Sequence, residues 1–155
     1  MRTAWVEVNT AAIQENIRTV KQFVGPRTEV MAVVKADAYG HGLIPAVRAA
    51  LVGGAAMLAV ALPEEVACLR DAGIATPTLI LGCTLPEQAA EVVALGASAV
   101  VSSLPAAEAL ATAARQAGTQ ARVHVKVDSG MGRVGVRWNA AVEAIRRIAG
   151  LPGIE

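Results

Sequence analysis

The chain has 155 residues, 54% of them from the set AVILMFWYC and only 3% aromatic, with 14 basic against 13 acidic side chains and a net charge of +1. That is enough apolar sequence for one domain with a real core, and it excludes an intrinsically disordered segment. The balanced charge gives no electrostatic argument for nucleic acid or for an anionic membrane surface.

The opening MRTAWVEVNT carries no apolar signal segment. Every apolar run is broken by glycine, proline or charge short of the roughly 18 residues of a membrane span, so the expected location is cytoplasmic. Within that opening, Trp5 to Val8 alternates like a strand. Asn9 and Thr10 can cap a helix, because their oxygens accept from the free amides of a first turn. Ile13, Ile17, Val20 and Val24 follow at helical spacing, and Gly25-Pro26 stops the helix. Val30 to Val34 is a continuous apolar run, the pattern of a strand buried on both faces. Further strands are predicted at 57–61, 78–81, 99–101 and 123–127. Alanine-rich helices are predicted at 43–51, 63–71, 86–95, 105–117 and 139–149. Pro63, Pro86 and Pro105 stand at helix starts, where a missing N–H costs nothing. Gly53, Gly73, Gly96 and Gly118 stand at helix ends, where a positive φ is common. Cys68 and Cys83 are too few for a disulfide framework, and their apolar neighbours make them small core residues.

Strands alternating with helices predict βαβ units and a parallel sheet, either doubly wound or part of a (β/α)8 TIM-type barrel. A closed barrel needs about 250 residues, so about five strands amount to a partial barrel, with the fifth strand left as an unpaired edge.

Two segments carry chemistry. In Val33-Val34-Lys35-Ala36-Asp37-Ala38-Tyr39-Gly40-His41-Gly42 a lysine ends a buried strand, at the edge where α/β enzymes place reacting groups. Partial desolvation in such a place disfavours an ammonium, and a neutral amine can act as a nucleophile. The same residues also read as a solvent-facing strand end with His41 a polar loop residue. In Val123-His124-Val125-Lys126-Val127-Asp128-Ser129-Gly130-Met131-Gly132-Arg133 the alternation is strict, with valines on one face and His124, Lys126 and Asp128 on the other. On a barrel strand that polar set projects inward; otherwise it is a sheet edge facing water, followed by a hairpin-like turn. The spacing Gly130-Met131-Gly132-Arg133-Val134-Gly135 imitates a dinucleotide fingerprint, but the helical pattern begins only near Asn139. No spacing of His41, His124 and Asp128 supports a metal site.

The run Ala32 to Gly42 closely resembles the pyridoxal-phosphate attachment signature of alanine racemases. The opening Arg2 to Asn9, the run Lys126 to Arg133 and the ending Leu151-Pro152-Gly153-Ile154-Glu155 are similar to other stretches of that family, in the expected order. The resemblance implies that residues 1–155 are the amino-terminal part of a pyridoxal-phosphate-binding barrel domain whose carboxyl-terminal β domain is absent. It implies that the parent interconverts L- and D-alanine as a homodimer, supplying D-alanine for peptidoglycan. By carry-over Lys35 bonds the cofactor covalently and is one of two acid–base groups. Tyr39 reaches the cofactor phosphate, and Arg133 donates to its phenolic oxygen. Lys126 matches a position carbamylated in many members, where the new carboxylate orients that arginine. The second acid–base group of the family is a tyrosine of the partner subunit's carboxyl-terminal domain, so these residues alone are expected to be inactive. A related serine racemase and a non-catalytic pyridoxal-phosphate-binding barrel protein are the alternative readings.

Overall fold

The computed structural model describes residues 3–155. They fall into two compact units, Met1–Ala59 and Val60–Glu155. The chain is α/β, as predicted: five parallel strands alternate with helices.

In the first unit helix α1 spans Thr10–Val24. Asn9 caps it, its Oδ1 accepting from the Ala12 amide at 3.1 Å, and Gly25 at φ +78° ends it. Strand β1, Met31–Val33, pairs in parallel with β2, Met57–Val60, in the register Met31↔Met57, Ala32↔Leu58, Val33↔Ala59. Between them lie α2, Lys35–Gly40, and α3, Leu43–Val52. Helix α3 buries Leu43, Ala46, Val47, Ala49 and Ala50, and α1 packs beside it. The backbones come closest where α3 ends: a Cβ on Gly53 would sit 2.6 Å from the Gln14 carbonyl oxygen and 2.8 Å from Ile17 Cβ. The expected left-handed helix-end glycine is found at Gly73, Gly96 and Gly118 but not at Gly53, whose φ is −71°. What Gly53 supplies is the missing side chain.

Two expectations fail in this unit. Trp5 to Val8 forms no strand; Trp5 and Val6 are 77% and 83% exposed, because no neighbouring strand among the described residues completes a ladder with them. The Val30 to Val34 run is not buried on both faces either. Ala32 and Val34 are buried, but Val33 is 43% exposed beside an apolar hollow of about 390 Å³ that is also lined by Ile13, Ile17 and Met31.

The second unit continues with α4, Pro63–Asp71, then β3, Thr78–Ile80, and a 3-10 turn at Pro86–Gln88 that leads into α5, Ala89–Ala94. Strand β4, Ser98–Val101, α6, Leu104–Gln116, and β5, Val123–Val125, follow. The chain then forms two short strands, β6, Val127–Asp128, and β7, Val136–Arg137, before α7, Ala141–Ala149. Strand β4 pairs in parallel with β3 (Leu79↔Ser98) and with β5 (Val100↔His124), while Val60 O accepts from the Leu81 amide at 2.8 Å. Every residue of β3 and β4 is buried, as the continuous-run rule requires for strands covered on both faces. Leu69, Ile80, Leu110 and Ile148 are fully buried, each contributing about 1.5–3 kcal/mol. Ala107, Ala111 and Ala114 form the buried stripe of α6, where small side chains let the helix lie close to β4.

Arg70 clasps the end of α4: its Nε donates to Leu95 O at 3.0 Å, and Nη1 donates to Ile74 O at 2.8 Å and to Thr76 O. Such charge-assisted bonds contribute about 2 kcal/mol net. Cys68 and Cys83 are exposed, contrary to expectation. Cys68 lies on the face of α4 opposite the buried Val66, and Cys83 lies in the loop after β3. The fifth strand is also not left bare. Ala121 N donates to Gly153 O, Glu155 N to Ala121 O and Val123 N to Glu155 O, at 2.8 to 3.0 Å, so the final residues form a parallel bridge beside the start of β5.

Candidate functional site

In the first unit the ladder of β1 runs one bond past its last residue, Val34 N donating to Ala59 O at 2.8 Å, and Lys35 follows, half-buried. Lys35 thus stands at the carboxyl end of β1, partly accessible to solvent. The chain then does something its composition does not announce. Ala36, Asp37, Ala38 and Tyr39 have φ between +53° and +56° and ψ between +35° and +55°. Those angles are the left-handed helical region, near +57° and +47°, so α2 is a left-handed turn made of non-glycine residues. For L-residues that conformation costs roughly 1–2 kcal/mol each and normally occurs singly. Strain of this kind collects at functional sites.

Hydrogen bonds hold the turn. Ala38 N donates to Val34 O at 2.9 Å, and Gly42 N to Asp37 O at 3.0 Å. His41 Nδ1 lies 2.8 Å from Ala38 O, donating in the tautomer protonated there, and the Leu43 amide donates to Asp37 Oδ1 at 2.6 Å. Ala38 is buried beneath, whereas Tyr39 stands 61% exposed. Gly40 and Gly42, at φ +82° and +87°, continue the reversal into α3. Lys35 and Tyr39 thus stand at either end of one left-handed turn that follows β1.

In the second unit the predicted single strand of alternating faces is broken at Lys126. Its amide donates to Val101 O at 2.9 Å, as a member of β5 would, but its carbonyl accepts from Val136 N at 2.8 Å. The chain therefore changes partner there, and β6 pairs with β7 through Val127↔Val136 and Asp128↔Arg137. Because that pairing is parallel, residues 129–135 are an excursion closed at its base, not a hairpin-like turn. His124 and Lys126 are exposed and Asp128 is half-buried. The Asp128 carboxylate organises the excursion, its Oδ1 accepting from Gly130 N at 2.9 Å and from Gly132 N at 3.1 Å. Arg133 follows, exposed, so Lys126, Asp128 and Arg133 share the carboxyl end of β5. The glycine pattern there leads into β7, not into a helix, which removes the dinucleotide resemblance. Among the described residues no three His, Cys, Asp or Glu side chains converge as a metal site would need.

The Gly130 amide, then the Gly132 amide, and more weakly the charge of Lys126, hold the Asp128 carboxyl below its usual 3.8. A lowered folded value means that the contribution to loop order is complete above pH 3.8 and is lost as pH falls through the folded value. Amide exchange at Gly130 and Gly132 is therefore expected to accelerate in that acid range. In Asp128→Asn the acid step disappears; a step that survives the substitution assigns the effect to another group.

Three further features carried no strong sequence signal. Asp37 is visible only as an acidic residue ahead of Gly40-His41-Gly42. Gly135 is needed because a Cβ there would lie 2.6 Å from Asp128 N. Thr84, after β3, is 94% buried by its 6% exposure, and its hydroxyl has no hydrogen-bond partner among the described residues.

Residues 8–155 match the family model described as alanine racemase, N-terminal domain. The alanine racemase of Desulfovibrio desulfuricans is 42% identical over 153 residues, 99% of this chain and 41% of that protein. That of Methanococcus maripaludis is 39% identical over 152 residues, 97% of this chain and 41% of that protein. Among solved structures, the alanine racemase of Clostridium difficile 630 in complex with cycloserine matches with a TM-score of 0.89 at 31% identity, covering 100% of this chain and 43% of that one. The Bacillus anthracis alanine racemase with bound L-Ala-P also matches with a TM-score of 0.89, at 33% identity, covering 100% of this chain and 40% of that one. The chain therefore spans about 41% of the length of the curated relatives it matches.

Proposed function

From the premise that this chain belongs to the family of alanine racemase N-terminal domains, we propose that residues 1–155 are the cofactor-bearing part of a pyridoxal-phosphate barrel in an enzyme that interconverts L- and D-alanine. The observation that carries this reading is the half-buried Lys35 at the end of β1, with Tyr39 presented one left-handed turn later. That donor set, an amine and a phenol one turn apart in the chain, suits a phosphorylated aldehyde.

When bound, pyridoxal phosphate supplies an electron sink that makes the Cα proton of an amino acid acidic. Lys35 Nζ would hold the cofactor and would take or return that proton on one face. The Tyr39 hydroxyl would hold the phosphate, and the Arg133 guanidinium would serve the phenolic oxygen. Lys126, carbamylated, orients Arg133; a native intact mass without the added CO₂ removes that role. The opposite face of Cα needs a second acid–base group. The family resemblance makes that group a tyrosine, and since it gives Tyr39, the single tyrosine here, to the phosphate, this reading takes the second group from outside these 155 residues. The same reading carries alanine as substrate, D-alanine for peptidoglycan as product, a homodimer as the working form and the cytoplasm as its place. No helix among the described residues is long and apolar enough to cross a membrane.

Incubation with pyridoxal phosphate, borohydride reduction and peptide mass mapping tests the reading. The expected result is cofactor fixed on Lys35. No adduct, or one scattered over surface lysines, overturns it.

A further inference from the structure

The left-handed turn raises a question that the roles of Lys35 and Tyr39 do not answer: what keeps four L-residues in a conformation they avoid? The backbone bonds within the turn do not answer it either. Ala38 N to Val34 O, His41 N to Ala38 O and Gly42 N to Asp37 O are all made within the turn or just after it, and none of them reaches a residue of α3. One side-chain bond reaches past both glycines. Asp37 Oδ1 accepts from Leu43 N at 2.6 Å, from a residue inside the turn to the first residue of α3. That amide is one of the unpaired donors of a helix's first turn, so the carboxylate meets a real need there. It is also a charged acceptor, which makes the bond stronger than a neutral one. Leu43, the first residue of α3, is buried, which anchors the far end of the bond. Asp37 thus joins the turn to a fixed helix end with both its carbonyl and its carboxylate.

We infer that Asp37 is a positioning residue. By bonding the Leu43 amide it holds Ala36–Tyr39 left-handed, and so sets the directions in which Lys35 and Tyr39 leave the end of β1. This rests on the proposed cofactor role of those two residues only for its consequence; the clamp itself concerns the protein alone.

The two parts are tested separately in the same chain. Without cofactor, NMR reads the sign of φ at residues 36–39 and the amide exchange of Gly42 and Leu43. In Asp37→Ala the expected result is loss of the positive φ values and faster exchange at both amides by about tenfold or more, the effect of losing a charge-assisted bond. Asp37→Asn keeps an acceptor oxygen and is expected to keep the turn. Adding Ala36→Gly and Ala38→Gly to Asp37→Ala removes most of the steric cost of the left-handed form, and the turn is expected to return. With pyridoxal phosphate, the visible absorbance of the bound cofactor is expected to show affinity lowered about tenfold in Asp37→Ala and restored in the other two variants.

An Asp37→Ala chain that keeps its left-handed turn overturns the inference. So does one in which the turn is lost and glycine does not bring it back, because Asp37 would then serve the fold at large. Should Asp37→Ala unfold outright, the glycine-bearing variant decides by the same rule. A parent chain that takes up no cofactor, yet loses the turn in Asp37→Ala, sinks the functional reading and leaves the clamp standing.

Discussion

On the function proposed above, Lys35→Ala is expected to abolish covalent uptake of pyridoxal phosphate and to lower racemisation by the parent enzyme by about a thousandfold or more, since that reading makes Lys35 both the point of attachment and one of two proton carriers. The chain is expected to stay folded. The bond that carries β1 past its end is backbone to backbone, Val34 N to Ala59 O at 2.8 Å, and the left-handed turn is closed by Asp37, Ala38 and His41, none of which needs the ammonium. Reductive trapping and a racemisation assay on the same preparation, with a thermal melt as control, read all three effects. Retained trapping at another lysine would move the attachment point and end the assignment. Unfolding would show Lys35 to be part of the scaffold.

Gly135→Ala carries the second large effect. Gly135 has φ +138°, and a Cβ there would sit 2.6 Å from Asp128 N and 2.9 Å from Val127 C. Backbone cannot move aside as a side-chain end can, so the expected result is loss of the Val127↔Val136 and Asp128↔Arg137 pairing. The local cost is on the order of 3 kcal/mol, from strain and overlap combined. Gly130→Ala is the matched control: its φ is +141°, but nothing lies within 4 Å of the added Cβ. It is expected to cost roughly half as much, from strain alone. Amide exchange at Val136, whose N–H bonds Lys126 O at 2.8 Å, reports the closure. Equal effects from the two substitutions would mean that backbone crowding at Gly135 plays no part. A larger effect at Gly135, together with weaker cofactor binding, would tie the base of the excursion to the presentation of Arg133.

These two sites differ in how far they could be read in advance. Lys35 was legible because a charged residue ending an apolar run is unusual, and because Ala32 to Gly42 resembles a known cofactor signature. Gly135 was not, because a glycine in a glycine-rich stretch looks like any loop glycine until the backbone opposite it is in place. The run from Val123 to Asp128 shows the same limit in a strand. Its alternation was read correctly as extended chain, yet nothing local records that the hydrogen-bonding partner changes at Lys126.

The sequence by itself determined the elements whose causes are short-range. Asn9 caps α1, Pro63 opens α4, and Gly73 and Gly96 end their helices. Each of those outcomes depends on residues within a turn or two of one another. Only the tertiary structure decided which faces the elements bury and which conformations long-range contacts can hold. Val33 is exposed although its run is apolar, and Cys68 faces outward although its neighbours are apolar. Gly53 is required by a helix some forty residues earlier in the chain. The left-handed turn after Lys35 belongs to the same class. Intrinsic preference opposes it at Ala36, Asp37, Ala38 and Tyr39, and it persists because Asp37 finds the first amide of α3 and Ala38 finds a buried place.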